Sequence, residues 1–139
     1  MSNTTMQMME MHSDSMLAMG VDLAMMQECI EACSACEQAC TMCAGSMAMS
    51  AKMAMCAGMC LNAADMANTT MRMLLRPNGS SVATLAAMLD SMVTMCTSCA
   101  DECESMAELS ADCGLCAEVC RQCAMSCQKL VDSMAAAQM

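Results

Sequence analysis

Between residues 29 and 127 seam positions return every third or fourth residue, with Ala, Met and polar or charged residues in the gaps. In four stretches the recurring residue is cysteine. The first stretch holds Cys29, Cys33, Cys36, Cys40 and Cys43, at steps of 4, 3, 4 and 3. The second holds Cys56 and Cys60, preceded at the same steps by Met49 and Met53. The third holds Cys96, Cys99 and Cys103, followed by Met106. The fourth holds Cys113, Cys116, Cys120, Cys123 and Cys127, at steps of 3, 4, 3 and 4. Such alternation averages about 3.5 residues, which is the inner seam of a packed helix; a strand would repeat every second residue. The pattern predicts helices over about residues 14–44, 46–75, 81–108 and 112–136.

Turn chemistry separates these helices. Ala44-Gly45-Ser46 offers a glycine stop and a serine cap. Arg76-Pro77-Asn78-Gly79-Ser80-Ser81 is a break, with Ser80 or Ser81 capping the third helix. The last break falls within residues 109–112, with Ser110 or Asp112 as the cap. Connections this short make chain neighbours antiparallel, so the fold class is all-α, an up-down-up-down four-helix bundle over residues 14–139. Residues 1–13 are a Met-rich flexible tail or a short extra helix.

In that topology all four cysteine stretches come to one end. The opposite end collects Met71, Leu74, Leu85, Leu89 and Leu130 on the same seams. Aligning the helices in height gives sulfur layers: Cys36, Cys56, Cys99 and Cys120, then Cys33, Cys60, Cys96 and Cys123. Towards the open end come Cys40, Met53, Cys103 and Cys116, followed by Cys43, Met49, Met106 and Cys113. Deeper lies Cys29 with Ala63, Met92 and Cys127.

Composition sharpens this picture. The 139 residues include 15 Cys and 25 Met but no Phe, Tyr or Trp, so Ala, Leu, Met and Cys must fill the core. The net charge of −10 opposes nucleic acid and anionic membrane as partners, since both demand clustered positive charge. No uninterrupted apolar run reaches the ~18 residues of a membrane span. The N-terminus lacks the basic start and apolar run of a secretory signal. A cytoplasmic location, where thiols stay reduced, is expected, with export behind a signal outside this sequence as the alternative.

The chemistry follows from the spacing. Two cysteines three or four residues apart on a helix project from one face and can share a small ion. Thiolates and thioethers are soft donors that favour Cu(I), which accepts few ligands. Zn(II) prefers four ligands in an isolated tetrahedron, and thioethers serve it poorly. Disulfides fit badly, because same-helix pairs have parallel Cβ vectors. The CxxC pairs, such as Cys33/Cys36 and Cys96/Cys99, lack the βαβ context of redox motifs, and no iron–sulfur run is present.

The methionines divide. Met19, Met26, Met71, Met88 and Met92 read as core packing. Met49, Met53 and Met106 lie on the seams at the sulfur-rich end and are candidate copper ligands, with Met47 at the edge. The N-terminal run Met6-Gln7-Met8-Met9-Glu10-Met11-His12 is too polar for a core; its Met density resembles the Mets motifs of copper transporters and suggests a copper-collecting antenna. The acidic residues Glu28, Glu31, Glu37, Asp101, Glu102 and Glu104 fall off the seams and form a solvated face.

The stretches CIEACSACEQACTMC, MCTSCADEC and CGLCAEVCRQCAMSC resemble the bacterial copper storage proteins, Cys-lined four-helix bundles, over roughly residues 22–136. The resemblance implies Cu(I) held by all fifteen cysteines, loading through one open end, and a homotetramer. Helix two departs from the pattern, with Met49 and Met53 where more Cys are expected, and residues 104–112 lack the His found near the mouth in some cytosolic members. The expected function is storage of multiple Cu(I) ions, without catalysis. The alternatives are a Cu(I) delivery or regulatory module and a metallothionein-like Zn or Cd buffer.

Overall fold

A computed structural model describes residues 3–14, 20–47 and 51–137. Within them lie a short helix α1 (Asn3–Met11) and four long ones: α2 (Leu23–Ser46), α3 (Ala51–Leu74), α4 (Val82–Ser105) and α5 (Ala111–Ala137). A single 3-10 turn, Pro77–Gly79, lies in the α3–α4 connection. No strand occurs among the described residues.

Each long helix packs against its chain neighbours, and α5 closes the ring against α2. Sulfur contacts fix the directions. Cys29 meets Cys127, Cys33 meets Cys123, Cys40 meets Cys116 and Cys43 meets Cys113, so α2 and α5 run antiparallel. Cys56 meets Cys103 and Cys60 meets Cys99, so α3 and α4 do too.

Local chemistry sets the ends. Asp22 is the N-cap of α2, its carboxylate accepting from the Met25 amide at 3.1 Å. Just before it Gly20 has a φ of 76°, a left-handed conformation that glycine adopts at no steric cost. This glycine and cap start α2 at Leu23, later than the predicted residue 14, although Ser13 and Asp14 are themselves helical. Ser81 caps α4, accepting from the Thr84 amide at 3.2 Å. Ser110 immediately precedes α5 and Asp112 lies in its first turn.

Gly45 and Ser46 do not end the helix as expected. The Ser46 hydroxyl donates back to the Cys43 carbonyl at 2.9 Å, and α2 continues through both residues. Gly45 stands in the open with nothing near its missing Cβ, so it adds a helix residue and no turn.

By length and composition α4 alone among the described helices is apolar enough to cross a membrane. The tally of uninterrupted apolar residues missed it because Thr84, Asp90, Ser91 and Thr94 break the run. Its inner face, however, belongs to the bundle: Leu85, Leu89, Met92, Cys96, Cys99 and Cys103 are all buried.

The core is one column in two zones. At the end where α3 finishes and α4 begins, Met26, Leu74, Leu85, Leu89, Leu130 and Met134 are almost fully buried. Met92 joins them as packing, while Met71 and Met88 are half-buried; Met19 lies outside the described residues. The other zone is sulfur. The N-terminal segment forms the short extra helix, and although read as too polar for a core it touches the bundle. Met9 is 3% exposed, and Thr5 shares a groove with Ile30, Ser34 and Gln38 of α2 and Leu75. Polarity averaged along the segment hid one apolar anchor.

Candidate metal centre

All fifteen cysteines are free thiols, each at most 1% exposed. They occupy the seam positions of α2 to α5 and nowhere else, because steps of three and four keep a residue on one face of a helix. From the open end inward, Cys43 lies 3.7 Å from Cys113, and Cys56 lies 3.6 Å from Cys103. Cys60 is central to the next level, 3.5 Å from Cys103, 3.8 Å from Cys99 and 4.0 Å from Cys116. Cys40 reaches Cys116 at 3.6 Å and Cys120 at 3.5 Å. Cys36 lies 3.9 Å from both Cys40 and Cys96. The column ends with Cys33 and Cys123 at 3.8 Å and Cys29 and Cys127 at 3.5 Å.

The predicted α2–α5 pairs agree with these contacts, but helix α3 sits one step off. Cys60, expected beside Cys96, lies beside Cys99 and Cys103; Cys56, expected beside Cys99, lies beside Cys103. The antiparallel α2–α5 pairs keep their expected partners, so the offset belongs to α3 itself. The turn was expected at residues 44–46, whereas α2 runs on through Ser46 and α3 begins at Ala51, which brings Cys56 and Cys60 nearer the mouth.

Five groups bring their sulfurs within 4.8 Å of one another. Two have four members: Cys40, Cys60, Cys99 and Cys116, and Cys43, Cys60, Cys103 and Cys116. Three have three members: Cys29, Cys33 and Cys127; Cys36, Cys96 and Cys123; and Cys36, Cys40 and Cys120. Membership overlaps, with Cys36, Cys40, Cys60 and Cys116 each in two groups. A sulfur shared in this way suits a chain of bridged ions better than separate closed tetrahedra.

Thiol pairing also sorts the protons. Hydrogen bonds from Cys127 and then Cys33 hold the Cys29 thiol down at about 5. Cys120 lowers Cys36 in the same way, and Cys103 lowers both Cys99 and Cys116. Their neighbours are pushed up: Cys33 by Cys123, Cys40, Cys103 and Cys120 by hydrogen bonds with thiolate-favouring partners, and Cys56 to about 11 by burial. Every close group therefore contains a thiol held below its ordinary value, the one that yields its proton most readily to an incoming ion. A Cu(I) ion gains a soft thiolate there, and each further bond it makes displaces a proton from a neighbour.

The mouth differs from the column. Met53 and Met106 are half-buried, Met106 standing at the C-terminus of α4 with its amide donating to the Cys103 carbonyl at 3.1 Å. Met47, the edge position, is 8% exposed and more enclosed than either. Met49 lies outside the described residues. Met42 and Met55 face solvent. On the outer surface Arg121 of α5 donates to Glu104 at 2.7 Å and Asp101 at 2.9 Å, tying α4 to α5 beside the sulfur zone. Two of the acidic residues assigned to a plain solvated face thus have a cation partner.

A ring of four helices enclosing a column of reduced thiols is the architecture of a soft-metal store. The family described as copper storage protein matches residues 22–132, and the chain belongs to that family. Solved structures agree. A His-to-Ala variant of Streptomyces lividans Ccsp is 36% identical, with a TM-score of 0.79, covering 83% of this chain and 98% of that one. The Ccsp structure loaded with 10 copper equivalents is 37% identical, with a TM-score of 0.78, covering 82% of this chain and 89% of that one. Another, at 36% identity and a TM-score of 0.75, is described as a cytosolic copper storage protein carrying five coppers; it covers 78% of this chain and 93% of that one. No curated protein matches the chain. The protein binds and stores multiple copper ions, held as Cu(I), in a Cys-rich helical bundle.

Proposed function

We propose that all fifteen cysteines act as Cu(I) ligands and that the column holds roughly ten or more ions per chain, with two-sulfur coordination and shared thiolates. The observation that carries this reading is continuity: the closest sulfur pairs lie 3.5–4.0 Å apart, and together with the overlapping groups within 4.8 Å they join one end of the column to the other. Met49, Met53 and Met106 serve as assisting donors at the mouth. The role is storage or detoxification without catalysis, in the cytoplasm. The Streptomyces lividans relative described as cytosolic supports that compartment. Self-association into a homo-oligomer, a tetramer by the family resemblance, is part of the proposal; exposed Leu61, Leu115 and Met125 supply apolar outer surface for it. The net charge of −10 opposes nucleic acid and anionic membrane as partners.

Capacity is the test. The reduced chain is titrated anaerobically with Cu(I) against a calibrated chelator, and uptake continues to roughly ten or more ions. An end point below about five assigns the protein to delivery or regulation, since a carrier needs one or two sites. The two four-cysteine groups favour a second reading, a Zn(II) or Cd(II) buffer. They share Cys60 and Cys116, so two tetrahedral ions there would need both thiolates to bridge; at four ligands each, Zn(II) is expected to stop at about three or four.

A further inference from the structure

The storage column leaves one set of soft donors unused. In α1, Met8 and Met11 are 57% and 79% exposed, and His12 is exposed beside them. Exposed methionines contribute little packing, and α1 has its anchor elsewhere: Met9 is buried and Thr5 lies in the groove on α2 and α3. That anchoring fixes which side of α1 faces solvent. The His12 amide donates to the Met9 carbonyl at 3.1 Å, so the helical path carries on to His12. Met8 is therefore three positions from Met11 and four from His12, so its side chain neighbours both, with Cβ atoms ~5–6 Å away, and Met11 and His12 flank it.

We propose that Met8, Met11 and His12 form a second soft-metal site, on the outside of the bundle, which takes one monovalent Cu(I) or Ag(I) ion. Two thioethers and an imidazole are neutral ligands, so the bound ion keeps its charge; the exposed Glu10 and the net charge of −10 favour a cation there. A thioether-rich set does not suit Zn(II) or hard cations. Without thiolates the site binds more weakly than the column and cannot be lost to disulfide formation. It also lies far from the mouth. α1 precedes α2, whose first turn is at the hydrocarbon end, whereas the sulfur zone lies toward the other end. The site is thus a separate surface station, fixed on a docked helix and not carried on a loose tail. It stands independently of how many ions the column holds.

His12 is the only histidine in the chain, so its imidazole reports on this site alone. The full chain is first filled with Cu(I) under anaerobic conditions until the sulfur-to-copper charge-transfer absorbance stops rising. Cu(I) is then added as its acetonitrile complex while the His12 ring signals are followed by proton–nitrogen NMR. The expected result is a shift that completes within one further equivalent. In M8L/M11L, which keeps size and apolarity while removing both thioethers, the half-point moves at least ten-fold higher in free Cu(I), with helicity and column capacity unchanged. His12 signals that stay still through several added equivalents overturn the proposal. So does an equal shift in M8L/M11L, which would reduce the site to an imidazole alone. A His12 shift that precedes column filling would overturn the ranking of the site below the thiolates.

Discussion

The two zones of this core are built on the same four helices and the same seams, yet they hold together differently. At one end Leu74, Leu85, Leu89 and Leu130 fill the interior with branched hydrocarbon. At the other the same seam positions carry thiols, which are smaller and weakly hydrogen-bonded to one another at 3.5–4.0 Å. The hydrocarbon end needs nothing but water to drive its packing. The sulfur end is nearly as apolar while protonated, so the metal-free chain is expected to be helical already, unlike a zinc finger. What separates the zones is response: only the sulfur end changes its charge with pH and with metal.

The largest expected effect breaks the symmetry with alkali. A thiol pushed up in the folded chain keeps its proton where the unfolded chain has lost it. Its stabilising contribution is complete below the unfolded value of 9.0 and is lost as pH rises through the folded value. For Cys56 that window runs from 9.0 to about 11, and Cys33, Cys40, Cys96 and Cys103 act in the same direction. Cys29, held at about 5, acts oppositely: its contribution is present above 9.0 and is lost as pH falls through about 5. Each group that ionises only in the unfolded chain costs ~1.4 kcal/mol per pH unit. Urea unfolding of the reduced metal-free protein should therefore show several kcal/mol lost between about pH 9 and 11. The copper-loaded protein, whose thiols are already deprotonated, should lack that loss. A flat pH response of the metal-free form would mean that the thiols are not enclosed as described.

The next effect contrasts one residue from each zone. Leu89→Ala at the hydrocarbon end should cost ~2–5 kcal/mol of metal-free stability and leave Cu(I) capacity unchanged. Cys60→Ala removes a single sulfur atom, so its stability cost should be about 1 kcal/mol. Its effect on copper should be the reverse. Cys60 belongs to both four-sulfur groups, whereas Cys29 belongs to one three-sulfur group at the column's end. Cys60→Ala should therefore lower Cu(I) uptake more than Cys29→Ala, measured by the same chelator titration. Equal losses would mean that thiolates act in independent pairs and that bridging is unimportant.

These contrasts also mark what could be read from the sequence. Helix number, the inward placement of all fifteen cysteines and the division into two zones follow from a repeat of three and four, which survives any error in helix ends. The α2–α5 pairs, such as Cys33 with Cys123, were legible for the same reason. The register of α3 was not, because the glycine and serine at 45 and 46 signal a turn where α2 in fact continues. The docking of α1 was not either, since it depends on one residue, Met9, in an otherwise polar segment. The start of α2 was legible in part: Gly20 and Asp22 carry an ordinary glycine-and-cap signal, outweighed by the apolar residues before it.

The smallest effect concerns the boundary where the sulfur zone meets solvent. Met53 and Met106 are half-buried there, and Met47 is enclosed at the end of α2. Their thioethers are softer than water and weaker than the thiolates beneath, so a Cu(I) ion can step from donor to donor without binding too tightly to move on. Replacing Met49, Met53 and Met106 together by Leu keeps volume and apolarity while removing the three donors. Capacity should fall little, because the column's thiolates are untouched. Loading from a weak Cu(I) donor and release to a chelator should both slow by a few-fold, a barrier change of roughly 1 kcal/mol. Stopped-flow absorbance at the charge-transfer band reads both rates. Extending the change to Met47→Leu tests whether the enclosed fourth thioether belongs to the same relay. Further slowing places it on the path, whereas no further change assigns it to packing between the helix ends. If the triple variant itself loads and unloads at the original rates, the mouth methionines are hydrocarbon in all but name, and the contrast between the zones begins at Cys43 and Cys113.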